Sequence, residues 1–146
     1  MSTEDNKALV RRFIEEVWNQ RNLAIFDELT ASNFLFHDPD LPTVRTYEDF
    51  KQWIIESLTA FPDLHLTIEE QIAEGDQVVT RWTSRGTHTG DLVKPMPLPA
   101  TGKQVTISGT DIARFAGGKV IELWHLADAL SYMQQLGVIP APGQAS

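Results

Sequence analysis

The chain opens with apolar residues at helical spacing. Leu9, Val10, Phe13, Ile14, Val17 and Trp18 recur at i, i+3, i+4 and i+7, which predicts an amphipathic helix that Ser2, Thr3 or Asp5 can cap. Asn19 to Asn22 interrupt this pattern, and Leu23 to Leu29 read as a short second helix. Phe34 to His37 reads as a strand ended by Asp38-Pro39-Asp40. Thr46 begins a third helix with Phe50, Trp53, Ile54, Leu58 and Phe61 on one side, and Pro62-Asp63 stops it. Thr46 with Asp49 has the spacing of a capping box, with Asp in the Glu place. After residue 63 the period falls to two: Leu64, Leu66 and Ile68 alternate with His65, Thr67 and Glu69. Gly75-Asp76 marks a turn, Val78 to His88 a strand, and Pro95, Pro97, Pro99 and Gly102 a long loop. Val105 to Phe115 and Val120 to Asp128 are strands joined at Gly117-Gly118, a two-residue hairpin signal. Leu130, Met133 and Leu136 suggest a final helix closed by Gly137, followed by a loose tail over about 138–146.

Helices first and strands last predict a single α+β domain over 1–146, with helices packed on one face of an antiparallel sheet. A regular two-residue turn sets Ala116 opposite Lys119, Asp111 opposite Trp124 and Ile107 opposite Asp128. On that register Asp111, Glu122, Trp124 and Asp128 share a mostly apolar face with Val105, Ile107 and Phe115. Ile112, Arg114, Ile121, Leu123 and His125 fall on the opposite, mixed face, where Ile112, Ile121 and Leu123 suit a subunit contact.

Composition narrows the function classes. Of 146 residues, 42% are apolar and 22% charged, enough for a packed core. The net charge of −8 opposes binding to nucleic acid or an anionic membrane. With no cysteine, thiol catalysis, disulfides and iron–sulfur clusters are excluded. The first residues carry no signal-peptide pattern and no stretch suits a membrane span, so a cytoplasmic location is expected. Walker, GxGxxG, GxSxG and HExxH motifs are absent, so neither a metal nor a cofactor is expected.

An apolar face has no cheap place for an ionised carboxylate, so its acids line a cavity, pair with a cation or reach water. Asp128 ends a strand where a helix begins: it is either the N-cap of that helix or, beside Trp124, a general base. Asp111 either bonds Arg81, Arg85 or Arg114 or takes part in chemistry. Glu122 suits an ion pair with Lys119 or Arg114. His88, in Gly86-Thr87-His88-Thr89-Gly90, is a proton shuttle, a donor to a substrate oxygen or a loop tether. His37 is similar, a substrate-binding candidate with a backbone hydrogen bond as the alternative. Trp82 and Trp124 lie on strands and can wall a pocket. The tyrosines Tyr47 and Tyr132 lie off the strands.

Phe61-Pro62-Asp63, Glu74-Gly75-Asp76-Gln77-Val78-Val79, Gly86-Thr87-His88-Thr89-Gly90, Pro99-Ala100-Thr101-Gly102-Lys103, Gly118-Lys119-Val120-Ile121-Glu122-Leu123-Trp124, Asp128 and Gln135-Leu136-Gly137 form an ordered set. Together they resemble the SnoaL-like polyketide cyclases, or ester cyclases, from about Val10 to Gly137. The resemblance implies the nuclear transport factor 2-like fold, a cone of curved sheet and helices around a pocket. It implies a cofactor-free intramolecular aldol closure of a small apolar carbonyl substrate, and a homodimer. By the family pattern Asp128 is the general acid/base, His88 a donor to a substrate oxygen, and Asp111 and Trp124 pocket-lining residues. The same fold also carries isomerases, dehydratases and epoxide hydrolases, and a non-catalytic ligand-binding member is the contrasting reading.

Overall fold

A computed structural model describes residues 2–140 and Gly143. Most of the expected tail, 141–142 and 144–146, lies outside the described residues. Helix α1 (Thr3–Arg12) starts from a capping box in which Ser2 and Asp5 satisfy each other's backbone N–H groups. It continues as a π-helical segment, Phe13–Asn19, which places Ile14, Val17 and Trp18 in the core. The break expected near Asn19 has two stitches. Asn19 exchanges hydrogen bonds with the Leu66 backbone at 2.8 and 2.9 Å. Arg21, at φ 59, sends its guanidinium to the Pro62 and Leu64 carbonyls. Helix α2 (Leu23–Leu29) is capped by Asn22, and helix α3 (Tyr47–Ala60) by the Thr46–Asp49 capping box.

The strands are β1 (Thr30–His37), β2 (His65–Glu74), β3 (Gln77–Thr87), β4 (Gln104–Ala116) and β5 (Lys119–Ala127), before helix α4 (Ala129–Leu136). Their order in the sheet is β1-β5-β4-β3-β2. Neighbours are antiparallel except β1 and β5, which run parallel, so the sheet is mixed rather than wholly antiparallel. Helices cover one face, and the core between them is aromatic. Phe50 of α3 packs against Phe36 at 4.8 Å and Phe34 at 5.0 Å, and Phe26 lies 5.7 Å away. Among the described residues no helix is long and apolar enough to cross a membrane.

The β4–β5 hairpin departs from regular geometry in one place. Gly117 and Gly118 both have positive φ, as a two-residue turn of this hand requires, and Ala116 faces Lys119. Beyond Phe115↔Val120 the ladder resumes at Arg114↔Glu122, leaving Ile121 as a bulge residue. Every later pairing shifts by one. Asp111 therefore faces His125, not Trp124, and Gly109 faces Ala127. The inner face of β5 carries Leu123, His125 and Ala127, while Glu122 and Trp124 turn outward.

Candidate active site

Between the helices and the inner face of the sheet lies a cavity of about 440 Å³. Its walls are mostly apolar: Phe13, Ile14 and Trp18 of the π-helical segment, Phe50 and Trp53 of α3, and Leu130, Tyr132 and Met133 of α4 take part. Asp40, Ser57, Thr80, Ser84 and Lys94 add polar groups to them, and one stretch of wall carries a titratable cluster. Asp38, at the end of β1, and Asp111 and His125, on adjacent strands, converge there.

His125 is the hub. Its Nδ1 lies 2.8 Å from Asp38 Oδ2. Asp38 is itself held, because its Oδ1 accepts from the Asp40 N–H at 2.8 Å in an Asx turn. The Asp38 carboxylate thus assigns the Nδ1 proton and leaves Nε2 turned to Asp111 Oδ1, 3.9 Å away. That separation is longer than a hydrogen bond. Asp111 Oδ1 accepts instead from the Trp82 indole N–H at 3.1 Å. Three aromatic rings enclose the imidazole: Trp82 stacks on it at 5.4 Å, Trp53 meets it edge-on at 5.4 Å, and Phe36 lies 5.7 Å away.

Electrostatics follow from this packing. Burial raises the proton affinity of Asp111 above the usual carboxylate range, although His125 and the Trp82 hydrogen bond pull the other way. Burial disfavours the charged imidazolium of His125, but Asp111 and Asp38 together outweigh it and leave its pKa raised. The aromatic faces also favour a cation at this position. The geometry thus sets a carboxylate of raised proton affinity beside an imidazole whose pKa is also raised. Among the described residues no group of three or more His, Asp or Glu side chains is placed to hold a metal ion.

The sequence-derived candidates fall on both sides of this site. Trp82 lines the cavity and is buried, and Asp111 lies beside it. Asp111 does not pair with Arg81 or Arg114: Arg81 pairs with Glu70 and Arg114 with Glu122, on the outer face. Trp124 does not share the Asp111 face, because the bulge turns it outward to stack on His37 at 5.3 Å. His37 lies on that outer face too, with its Nε2 2.6 Å from Glu122. Asp128 is exposed and accepts from the Ser131 N–H at 3.1 Å as the N-cap of α4. His88 is fully buried and ties its loop together. Its Nδ1 accepts from the Thr101 N–H at 3.2 Å, and its backbone bonds Lys103 and Gly102. Neither Asp128 nor His88 is among the cavity-lining residues. Leu123, expected at a subunit contact, lines the cavity instead.

Asp38 and His125 were not singled out by sequence reasoning. The bulge moved His125 to the inner face, and Asp38 read as a turn residue. The acid flanking Pro39 directly after an apolar strand was the available signal.

Comparison with known proteins agrees with this architecture. Residues 8–136 match the family described as SnoaL-like polyketide cyclase. No curated protein matches the chain significantly in sequence. Among solved structures, a candidate polyketide cyclase from Acidithiobacillus ferrooxidans is 31% identical, with TM-score 0.80 over 94% of this chain and 99% of that one. AclR of Streptomyces galilaeus, a candidate hydroxylase, is 27% identical, with TM-score 0.83 over 98% of this chain and 87% of that one. IdmH of Streptomyces antibioticus, a candidate polyketide cyclase, is 25% identical, with TM-score 0.77 over 90% of this chain and 98% of that one. These relatives carry the nuclear transport factor 2-like fold, and the curved, unclosed sheet found here is of that kind.

Proposed function

Since the chain belongs to the SnoaL-like polyketide cyclase family, we propose that it catalyses an intramolecular aldol-type ring closure of an apolar carbonyl compound by general acid/base chemistry. One observation carries this reading: Asp38, His125 and Asp111 meet on the wall of a mostly apolar cavity. A carboxylate with raised proton affinity is a stronger base than an exposed one. Asp111 takes the α-proton of the substrate. The resulting enolate carbon attacks a ketone carbon of the same molecule, and a C–C bond forms. The ketone oxygen accepts a hydrogen bond from His125 Nε2–H and then its proton, and the proton on Asp111 restores the imidazolium. No atom enters or leaves, so no cofactor is needed for balance. Asp38 positions the ring by holding Nδ1. Asp128 acts as a helix cap and His88 as a loop tether, not as proton carriers.

The experiment is α-deuterium exchange of aromatic β-keto esters in heavy water, followed by NMR alongside product formation. Asp111→Asn is expected to slow exchange by about 10²–10⁴-fold. His125→Gln is expected to lose ring closure more than exchange. Exchange at the parent rate in Asp111→Asn would overturn the assignment.

The outer face supports pairing with a second copy. Leu126 is 59% and Ile112 36% exposed there, around the Trp124–His37–Arg114–Glu122 cluster. A Trp and an Arg already held in place are typical of interface anchors.

A further inference from the structure

The far end of the cavity holds a polar group that the ring-closure chemistry does not use. Tyr132, on α4, lines the cavity, and its hydroxyl makes no hydrogen bond with any described residue. A phenol in a largely apolar setting usually finds a partner. Burial raises its pKa, so the group stays a neutral O–H donor through the physiological range. Apolar side chains lie beside its ring. The Tyr132 ring lies 6.2 Å from that of Phe61, and Leu130 and Met133 flank it along α4.

Strand geometry places the Tyr132 ring, beside Phe61, away from Asp111. Phe61 sits over Gly86, where an added Cβ would come within 3.1 Å of the Phe61 side chain. Gly86 faces Val105 across the ladder, whereas Thr80 faces Asp111. From Gly86 to Thr80 is six residues along β3, about 20 Å at about 3.3 Å per residue. Allowing for the reach of the Tyr132 side chain back along the cavity, the two polar ends are roughly 10–20 Å apart. The wall between them is built from Trp82, Leu66 and Ile107 with one polar side chain, Ser84.

We propose that Tyr132 is a substrate-binding and specificity-determining residue, which donates a hydrogen bond to an oxygen acceptor at the end of the substrate remote from the reacting carbonyl. The ligand class that fits is an elongated, flat, apolar molecule with a carbonyl or ether oxygen at each end. Only the choice of which end reacts rests on the acid/base reading of Asp111 and His125.

The test compares two neutral probes of one shape, 2,6-diacetylnaphthalene and 2-acetyl-6-ethylnaphthalene, by tryptophan fluorescence titration with the intact chain. The parent is expected to bind the diketone about tenfold more tightly than the ethyl analogue, the worth of one net hydrogen bond. Tyr132→Phe, which keeps the ring and its packing, is expected to erase that preference and leave the affinity for the ethyl analogue unchanged. Equal affinity of parent and Tyr132→Phe for the diketone overturns the proposal, as does failure of the parent to prefer it. Exchange of the acetyl protons with heavy water, measured on the same samples, reports on Asp111 separately. If Asp111→Asn exchanges as fast as the parent while the Tyr132 preference persists, the base assignment fails and the binding assignment stands.

Discussion

Asp38 shows how one side chain sets the chemistry of another. Its carboxylate is nearly inaccessible, is fixed by the Asp40 N–H and faces His125 Nδ1 at 2.8 Å. A group whose pKa is raised on folding adds stability below its unfolded value, and that stability is lost as pH climbs through the folded value. For His125 the loss begins above the ordinary value of 6.5. For Asp111, also raised, it begins above 3.8, so both contributions decline in the same direction. The parent should therefore lose stability toward alkaline pH, and Asp38→Asn should show a shallower decline from neutral pH upward. Urea unfolding across pH 5.5–9 measures this, and an unchanged slope would rule out Asp38 as the source. Asp38→Asn should also lower kcat more than it raises KM, because it disturbs the tautomer rather than the cavity wall.

At the scale of elements, α4 starts directly after β5, with Asp128 between them. Asp128 caps α4, so Asp128→Ala should cost about 1 kcal/mol in chemical denaturation while deuterium exchange persists. Exchange lost in Asp128→Asn with folding intact would return the base to that residue. Gly109 tests the hairpin from its other side. A Cβ there would lie 2.2 Å from the Trp82 ring and 2.7 Å from the Leu126 carbonyl oxygen. Gly109→Ala should therefore destabilise by about 1–3 kcal/mol and displace the indole that holds Asp111. Reduced exchange together with a lowered urea midpoint is the expected result.

The hairpin also marks the limit of what was legible in the sequence. Strand β1 begins at Thr30, ahead of the Phe34 start read from its apolar run. The helices, the Ser2 and Thr46 caps, most of the strands and the Gly117-Gly118 turn follow from local pattern, because each depends on neighbours a few residues apart. The bulge at Ile121 does not, since Val120, Ile121 and Leu123 are all apolar and either phase buries a plausible set. A single extra residue then exchanged Trp124 for His125 across the sheet. The approach of Asp38 to His125 was hidden for a different reason. It depends on the parallel β1–β5 pairing between distant parts of the chain, and hairpin arithmetic carries no information about that pairing.

At the scale of the whole molecule, one face of the sheet is covered by helices and the other is left open. Leu35, Ile112 and Leu126 are exposed on the open side. If this face joins two copies, the parent should sediment as a dimer and Leu126→Glu should shift it to monomer with the fold retained. Sedimentation of the parent as a monomer at high micromolar concentration would reject the pairing. The cavity opens on the opposite side of the sheet, so catalysis in such a monomer should remain measurable.

The β1–β5 seam has a consequence in time. Phe36 pairs with Leu123 and His37 with Trp124, so the first strand made has no partner strand until the last strand, β5, emerges. During synthesis the β2–β3–β4 meander can form from neighbours in order, while β1 has only its local bonds to Arg45 and Thr46. Asp38 and His125 sit on opposite sides of that late-closing seam. A nascent chain that stops before residue 119 can own a sheet and most of an aromatic core yet hold no acid/base pair. The reactive centre is therefore completed only by β5 and α4, the same segments that bring Leu123, Leu130 and Met133 to its apolar wall.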